Sequence, residues 1–395
     1  MNRKRTEFSL MFVASLAAAM VAGSAPKAVG QEDAPADRTL KLDVMPLSDA
    51  DAPANRALVE TPGSLKLRTW TYSIKSTRTG SAGTTYSGVM VGNDPFTTKG
   101  TTTTTVYVVP LIVEINSQKF DPTVPDKACY GGVTPLNALK ISPMVLGWND
   151  FKLNGVDVGA TQYSDAFQRA NFWEAVKANG GTYHNLLKYV FLPAETFTPD
   201  PASSVVYQPK GLCTPVYGGI EKGYFDVVAK LFLIPSLASK GVNPSNLVTF
   251  MLYNTTLYDT IPRHCCIGGY HGAYGTPAQT YSPFQYDTAG FFTGTSGLDV
   301  SIMSHEINEW QDDPFGNNLV PAWGHIGQDS SCQGNLEVGD PLTGTALKPI
   351  PFFGSLNYHV QELAYFSWFF GAPSLGSGGL YSDNGTFKSP QGACT

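Results

Sequence analysis

The chain has 395 residues and a formal net charge of −6, and only 15% of its residues are charged. This balance argues against binding to nucleic acid or to an anionic membrane surface. A deficit of charge with abundant Gly, Thr and Tyr is common in extracellular β-rich proteins. The length allows two domains or one large domain.

Residues 1–30 have the three-part order of a secretory signal peptide: a basic head, an apolar run and a stretch of small residues. The apolar run, from Phe8 to Val21, falls short of the roughly 18 to 20 residues that span a bilayer. We therefore expect cleavage after Gly30 rather than a membrane anchor. The resulting chain should be secreted or periplasmic, without membrane contact after cleavage.

The rest of the chain divides into three regions by composition. Residues 31–65 are rich in Asp, Ala and Pro, which predicts a flexible leader and leaves open an inhibitory pro-segment. Residues 66–160 form a β-rich N-terminal region with a strong strand candidate at 106–113. Residues 161–395 mix helix and strand patterns and either form a separate α+β domain or continue the preceding one.

Apolar periodicity places the elements of this last region. A buried strand is predicted at 247–253 and helices at 163–176, 224–238 and 358–370. Strands first, then helices interleaved with strands, predict an α+β fold with a mixed sheet.

Six cysteines in an exported chain predict disulfide bonds. Cys265 and Cys266 are adjacent and would be strained if bonded to each other, so each is expected to reach a distant partner if all six cysteines are bridged. The chain has no C-x-x-C pair. Its absence excludes the thioredoxin-like redox motif and the usual cysteine-based zinc site.

The strongest chemical signal is a helix pattern that begins near Leu298 and stops at Pro314, with Ser296 as a candidate N-cap. Two apolar stripes predict that this helix is sandwiched in the core, which would bury three ionisable side chains. The residues that define these features are Leu298, Val300, Ile302, Met303, His305, Glu306, Ile307, Glu309 and Trp310. Buried ionisable groups need partners, and a divalent cation can gather an imidazole and several carboxylates.

The spacing H-E-x-x-E is that of the zinc metallopeptidase helix H-E-x-x-H, with Glu309 in place of the second histidine. His305 and Glu309 are therefore candidate metal ligands. Glu306 is the candidate general base that polarises the attacking water. Carboxylate is a legitimate zinc ligand, but the extra anionic charge makes calcium or manganese more competitive.

Two downstream segments offer the remaining site residues. In the box E-V-G-D, Glu337 is the first candidate for a third metal ligand and Asp340 the second, and either could instead orient a ligand. His325 could complete the coordination, donate a hydrogen bond to a developing oxyanion as a catalytic residue, or be structural. Asp313 lies about 12 Å along a straight helix from His305 and is expected to brace the turn.

The run S-H-E-x-x-E-x-x-x-D-P, followed by Ala-Trp and E-V-G-D, resembles secreted bacterial proteins with HExxE helices and an E-I-G-D box. More distantly it resembles the plant exordium or phosphate-induced proteins. The likeness covers about residues 249–340, including Cys265-Cys266 and Tyr270-His271, and is weaker at 162–173. It implies a zincin-like core, a zinc metallopeptidase activity on peptide or protein substrates, and the site roles given above. His325 departs from the group, whose members often carry Trp-Tyr-Asp there.

Two other functions fit the same sequence. A non-catalytic exordium-like protein of the cell surface would use the helix to hold a structural cation or none. A β-rich carbohydrate-binding module is suggested by the aromatic and hydroxyl content alone. His271 and Tyr281 could line a substrate cleft beside the metal, although such aromatic side chains often simply pack.

Overall fold

The computed structural model describes residues 31–47, 66–262, 264–292 and 297–394. The predicted signal peptide and the predicted cap at Ser296 lie outside these ranges. The described chain is a mixed α+β fold, as expected, with many strands and few helices. None of the helices in the described ranges has the length and apolar character needed to cross a bilayer.

The elements follow one another along the chain in an order that alternates strands with short helices. The strands are β1 (Gln31–Asp33), β2 (Lys41–Met45), β3 (Thr69–Lys75), β4 (Thr85–Val91), β5 (Thr101–Ile115), β6 (Gln118–Phe120), β7 (Asn149–Leu153), β8 (Val156–Thr161), β9 (His184–Phe191), β10 (Glu195–Phe197), β11 (Ser204–Gln208), β12 (Tyr217–Glu221), β13 (Leu247–Tyr253), β14 (Thr255–Tyr258), β15 (Cys265–Tyr274), β16 (Gln279–Tyr286), β17 (Leu319–Ile326), β18 (Asp329–Asn335), β19 (Ile350–Phe353) and β20 (Leu356–Tyr358). The α-helices are α1 (Pro135–Lys140), α2 (Tyr163–Asn171), α3 (Trp173–Ala178), α4 (Lys222–Val228), α5 (Ile234–Ser236), α6 (Ser301–Asp312) and α7 (Phe366–Phe370).

Within the described residues, twelve strands form one mixed sheet. Its path is β1-β11-β12-β14-β15-β16-β13-β5-β10, with β2 paired to β15 and with β6 and β9 paired to β5. The strand β5 belongs to the N-terminal β-rich region, whereas its neighbours β9 and β13 belong to the following region. The regions 66–160 and 161–395 therefore share one sheet.

Both faces of this sheet are buried because its central strands alternate between two cores. In β13, Leu247 and Met251 join the core on one face, while Val248 and Phe250 join the core on the other. Helix α6 packs against β15 and β16 on the first face. Helix α4 contributes Phe225 to the second core. The prediction of a buried strand at 247–253 is confirmed.

Helix α6 is buried along its whole length, as its two apolar stripes predict. It begins at Ser301 after Val300 and ends before Asp313. The carboxylate of Asp313 accepts backbone N–H bonds from Asn317 at 3.0 Å and from Asn318 at 2.9 Å. The predicted bracing role of Asp313 at this turn is confirmed.

The described part of the predicted flexible leader is a component of the sheet. Strand β1 pairs with β11 and strand β2 pairs with β15. Leu40, Leu42 and Leu47 are buried. Even a sparse set of apolar residues can be buried when its segment pairs with an otherwise unpaired strand edge. Residues 48–65 of that leader lie outside the described ranges.

The helix predicted at 358–370 is wrong over most of its length. The segment begins in strand β20, and only Phe366–Phe370 is helical. Between them the backbone bonds to distant segments: Ala364 N–H donates to Val338 O at 2.8 Å, and Leu347 N–H donates to Val360 O at 3.0 Å. The apolar spacing resembles a helix because the segment is buried on several sides.

The other two predicted helices exist but are broken. The segment 163–176 forms α2 and α3 with an interruption at Phe172. The segment 224–238 runs as α4, a π-helical turn at Ala229–Leu233 and α5. Pro235 supplies no N–H to this helix, which is a usual reason for such a local widening.

The three disulfides are Cys129–Cys213, Cys265–Cys266 and Cys332–Cys394. The prediction of disulfides is confirmed, but the expectation of distant partners for Cys265 and Cys266 is wrong. The other four cysteines are bonded to one another, which leaves these neighbours to pair. Cys332–Cys394 joins the hairpin β17–β18 to the C-terminal segment.

A buried carboxyl group in the C-terminal segment has a raised pKa. Asp383 Oδ2 lies 2.7 Å from the hydroxyl oxygen of Tyr163, and that hydroxyl also contacts the carbonyl oxygen of Gln361. The hydroxyl has one proton and a carbonyl can only accept, so both contacts are satisfied when Asp383 donates to Tyr163. Burial raises the pKa of Asp383 to about 8.

We predict that Asp383 makes the folded chain less stable as the pH rises. Its pKa is higher in the folded chain than the value of about 3.9 usual in unfolded chains, so its stabilising contribution is complete below pH ~4 and is lost as the pH approaches 8. The slope should reach about 1.4 kcal/mol per pH unit. Asp383→Asn keeps a donor to Tyr163 but does not titrate, so its unfolding free energy in urea should fall less steeply. Parallel profiles for the two proteins would contradict this.

Candidate metal centre

Helix α6 and strand β15 pack against each other and carry the central residues of the site. The side chain of Tyr270 points into the second core, away from α6. Because side chains alternate along a strand, its neighbour His271 points toward α6. His271, His305 and Glu306 are completely buried there, and Glu309 nearly so.

The first group of converging side chains consists of His305, Glu309 and Asp340. The distance from His305 Nε2 is 2.9 Å to Glu309 Oε2 and 3.3 Å to Asp340 Oδ1. One ligand atom from each residue lies within 4.8 Å of the others. His305 and Glu309 are one helical turn apart on α6, and Asp340 is in the E-V-G-D box. The structure thus brings together three residues that the sequence singles out.

The second group shares Glu309 with the first and adds His271 and Glu306. His271 Nδ1 lies 3.5 Å from Glu306 Oε2 and 3.7 Å from Glu309 Oε2. On the other side of the ring, His271 Nε2 lies 4.0 Å from Glu337 Oε2. Glu337 therefore adjoins His271, whereas Asp340 adjoins His305. We refer to these six residues, His271, His305, Glu306, Glu309, Glu337 and Asp340, as the α6 cluster.

Several polar atoms of the α6 cluster are buried without a hydrogen-bond partner of good geometry. Among the described residues these include both ring nitrogens of His271, Nε2 of His305, both carboxyl oxygens of Glu306 and Oε1 of Glu337. His305 Nε2 is close to Glu309 but is not aligned with it as a hydrogen bond. An unpaired buried polar atom costs about 1 to 3 kcal/mol, so a concentration of them indicates a missing partner.

The glycine of the E-V-G-D box allows this close approach. A Cβ atom at Gly339 would lie 2.3 Å from Nδ1 of His305, a distance that no side chain tolerates. The backbone N–H of Gly339 also donates to Glu309 Oε1 at 3.0 Å. The box therefore contributes two carboxylates and the backbone contact that lets them reach α6.

Gln361 orients the imidazole of His305 and was not identified from the sequence. His305 Nδ1 lies 3.1 Å from Gln361 Oε1, and the amide of Gln361 donates to Gly339 O at 2.7 Å. With Nδ1–H donating to Gln361, Nε2 is the nitrogen that faces Glu309 and Asp340. The available signal was the polar pair Gln361-Glu362 inside an otherwise apolar run, which the false helix pattern concealed.

The sequence suggests His271 as a cleft residue, whereas the structure places it inside the cluster. Its position depends on the pairing of β15 with β16, which the sequence does not reveal. A histidine flanked by Gly269 and Gly272 was a usable signal. A Cβ atom at Gly269 would lie 3.0 Å from Glu306 Oε1, so small residues there leave room for the cluster.

His325 lies outside the α6 cluster. Its side chain is exposed on β17, and its Nε2 is 3.9 Å from Sγ of Cys332. His325, Cys332 and Cys394 are close enough to resemble a metal site, but the two sulfurs are joined in a disulfide. A thiolate is required for binding through sulfur, so this group is not a comparable site.

Burial and mutual attraction shift the pKa values of the side chains in the α6 cluster. Burial raises the pKa of Glu306 and Glu337 well above the usual range, and burial with the Glu309 charge raises that of Asp340 to about 8. Burial lowers the pKa of His271 to about 4. For His305 and Glu309 the penalty of burial is outweighed by their mutual attraction, which raises the pKa of His305 and lowers that of Glu309.

The arrangement fits a divalent cation. It offers imidazole nitrogen and carboxylate oxygen, the donor types that zinc takes from proteins, in a pocket with no competing hydrogen bonds for several of these atoms. A cation would reverse the electrostatic preference and favour the ionised carboxylates. Comparisons of the chain with protein families, with curated proteins and with solved structures give no match.

We predict that Gln361→Leu weakens metal binding by about 10- to 100-fold, the usual effect of losing a group that orients a ligand. Leucine keeps much of the volume but cannot accept from His305. Gln361→Glu is the matched control, because it retains an acceptor for Nδ1 of His305 and should lose less affinity. Competition with a chromophoric chelator measures both. Equal affinities in the three proteins would show that Gln361 does not orient the ligand.

Proposed function

We propose that the chain is a secreted metal-dependent hydrolase, and specifically a zincin-like peptidase. In this proposal His305, Glu309 and Asp340 hold the ion and Glu306 is the general base. The observation that carries it is the set of buried, unpaired nitrogen and oxygen atoms that converge between α6 and β15. The resemblance to secreted HExxE proteins supports the choice of a peptide or protein substrate.

The donor set favours zinc among the candidate ions. Imidazole nitrogen is a common zinc ligand, whereas calcium prefers a shell of oxygen atoms. The high proportion of carboxylates keeps manganese, and less favourably calcium, as competitors. Glu337, the first candidate from the sequence, would then act on His271 rather than as the third ligand, since its Oε2 lies 4.0 Å from Nε2 of that ring.

The residues around the ion divide the chemical work. A bound divalent cation would supply Lewis-acid polarisation of the scissile carbonyl. Glu306, whose two carboxyl oxygens have no hydrogen-bond partner among the described residues, would take a proton from the attacking water and deliver it to the leaving amine. The raised pKa of its carboxyl, caused mainly by burial, shows how strongly this environment retains a proton.

His271 lies inside the α6 cluster and is suited to the oxyanion role, whereas the exposed His325 lies outside the cluster. Burial keeps its pKa near 4, so the ring is neutral at pH 7 and carries one N–H donor. Its Nδ1 lies 3.5 Å from Glu306 Oε2, beside the base. A neutral donor in a buried site stabilises a developing negative charge more than the same donor in solvent does.

Export is the remaining part of the proposal. The three disulfides support it, because such bonds persist in oxidising compartments. Zinc and calcium are both available outside the cell, and the nitrogen ligands favour the former.

A non-catalytic cation site is a second candidate, favoured by complete burial. His305 and Glu306 have no exposed surface, and Asp340 has only 6%. A structural cation needs no path for a substrate, whereas a peptidase does. Turnover by the metal-loaded protein separates the two.

We predict one zinc ion per chain, with an affinity that increases as the pH rises from 6 to 8. The carboxyl of Asp340 has a pKa of about 8, so a proton competes with the cation below that pH. Each proton released adds about tenfold to the affinity per pH unit. Elemental analysis gives the stoichiometry and chelator competition gives the pH slope. Two ions per chain would make Glu306 a ligand rather than a base, and none would end the proposal.

We predict that Glu306→Gln abolishes peptide hydrolysis, with a loss of at least about 100-fold, while the metal is retained. Glutamine is nearly isosteric but cannot accept a proton at neutral pH. Glu309→Gln, three residues along the same helix, is the contrasting variant and should lose the metal as well. Hydrolysis of a casein or mixed-peptide substrate and metal content are measured together. Full activity in Glu306→Gln would contradict its role as general base.

A further inference from the structure

Strand β2 pairs with one edge of β15, the strand that carries His271 of the α6 cluster. At one end of β15, the edge pairs with β14 at Ile267 and Cys265. From Ile267 to Gly272 the same strand pairs in parallel with Lys41–Met45. The backbone of β15 beside His271 is thus occupied by a segment from more than 200 positions earlier in the chain.

The side chains of β2 alternate between the two faces of the sheet. Leu42 is in register with Gly269 and belongs to the core on the α6 face. Val44 is in register with His271, so it lies on the same face, next to the cluster. These apolar side chains occupy the position beside His271 that a neighbouring chain would fill.

Gln328 connects the backbone of β2 to the cluster. The side-chain oxygen of Gln328 accepts a hydrogen bond from the backbone N–H of Leu42 at 2.8 Å, and its side-chain amide donates to the backbone oxygen of Leu42 at 2.8 Å. The same amide donates to Asp340 Oδ1 at 2.5 Å. The Gln328 side chain therefore binds both the N–H and the C=O of one residue in an extended segment, whatever side chain that residue carries. It also contacts Asp340, a proposed metal ligand.

On the opposite face of the sheet, an ion pair holds β2 in place. Asp43 forms an ion pair with Lys222, the first residue of α4. Beyond β2, the N–H of Leu47 donates to Phe315 O at 2.8 Å, just after α6 ends. The Asp43–Lys222 ion pair lies on the face away from α6, although the charge of Asp43 also acts on His271 and Glu306.

A cleft of about 560 Å³ borders β2 and stops short of the cluster. Leu42, Asp43, Lys222 and Gln328 contribute to its lining. Since Gln328 also contacts Asp340, β2 and Gln328 separate the cleft from the buried ligands. Removal of β2 would expose the edge of β15 to this cleft.

We propose that β2 is an internal inhibitory strand, and that the substrate is an extended polypeptide that takes its place along residues 267–272 of β15. The edge offers backbone hydrogen bonds, Gln328 offers a second pair of backbone contacts, and His271 and Glu306 lie directly beside them. Recognition is mainly through the main chain, as in other cases of strand addition to a sheet edge. This inference rests on the peptidase function proposed above.

The test uses full-length chains in which the Asp43–Lys222 pair is reversed. In Asp43→Lys, two like charges replace the ion pair, which should weaken the pairing of β2 with β15. We expect backbone amides at 41–45 and 267–272 to exchange hydrogen at least tenfold faster, and the zinc-loaded protein to hydrolyse casein at least tenfold faster. The double variant Asp43→Lys with Lys222→Asp restores opposite charges, so both rates should return toward those of the unchanged chain.

A second variant and a peptide guard against an ambiguous result. Leu42→Asp removes the apolar anchor of β2 on the other face, and Lys41→Asp, at the exposed neighbouring position, is its control. A synthetic peptide of residues 38–47 should inhibit Asp43→Lys and protect amides 267–272 again. The same peptide with Leu42→Asp should do neither.

Two outcomes overturn the inhibitory strand. The first is slow exchange at 41–45 in both Asp43→Lys and Leu42→Asp, which would make β2 a permanent part of the sheet. The second is fast exchange in either variant without faster hydrolysis, when the unchanged zinc-loaded chain has measurable activity. If no chain hydrolyses casein although zinc is bound and the peptide protects 267–272, the peptidase function fails while the edge remains a polypeptide-binding site.

Discussion

The structure depends on the burial of ionisable side chains between helix α6 and strand β15. Four carboxyl groups and two imidazoles occupy a space from which solvent is excluded. Isolated charges in such surroundings cost many kcal/mol, so the groups must be neutralised by protons, by one another or by a cation. The pKa shifts reflect neutralisation by protons and by the groups themselves. The unpaired atoms indicate the need for a cation.

This constraint accounts for details far from the ligands. Gly339 is required because His305 leaves no space for a side chain, and Gln361 is required because an imidazole with one free nitrogen must have the other fixed. Gln361 is in turn connected through its carbonyl oxygen to Tyr163 and Asp383. The result is a continuous polar network through an otherwise apolar core, in which each member has few alternative positions.

Much of the site could be predicted from sequence because α6 carries a regular pattern. Its two apolar stripes require burial, and burial gives His305, Glu306 and Glu309 their significance. The E-V-G-D box could be identified from its composition, although not the different positions of its two carboxylates.

The unpredicted features depend on contacts between distant segments. His271 reaches the cluster through strand pairing, and β2 reaches β15 across more than 200 residues. The irregular segment that contains Gln361 has helix-like spacing because it is covered on several sides. The partner of Cys265 could not be deduced until the other four cysteines were accounted for. Local periodicity contains none of this information.

The wide separation of the ligand-bearing segments has a consequence for the order of assembly. His271 is on a central strand, His305 and Glu309 are on the helix that follows, Asp340 comes after a hairpin, and Gln361 comes after another. No short stretch of the growing chain contains a complete coordination set, so capture of the ion must follow long-range folding rather than nucleate it. On the function proposed above, such a chain would take up its ion in the compartment where folding is completed.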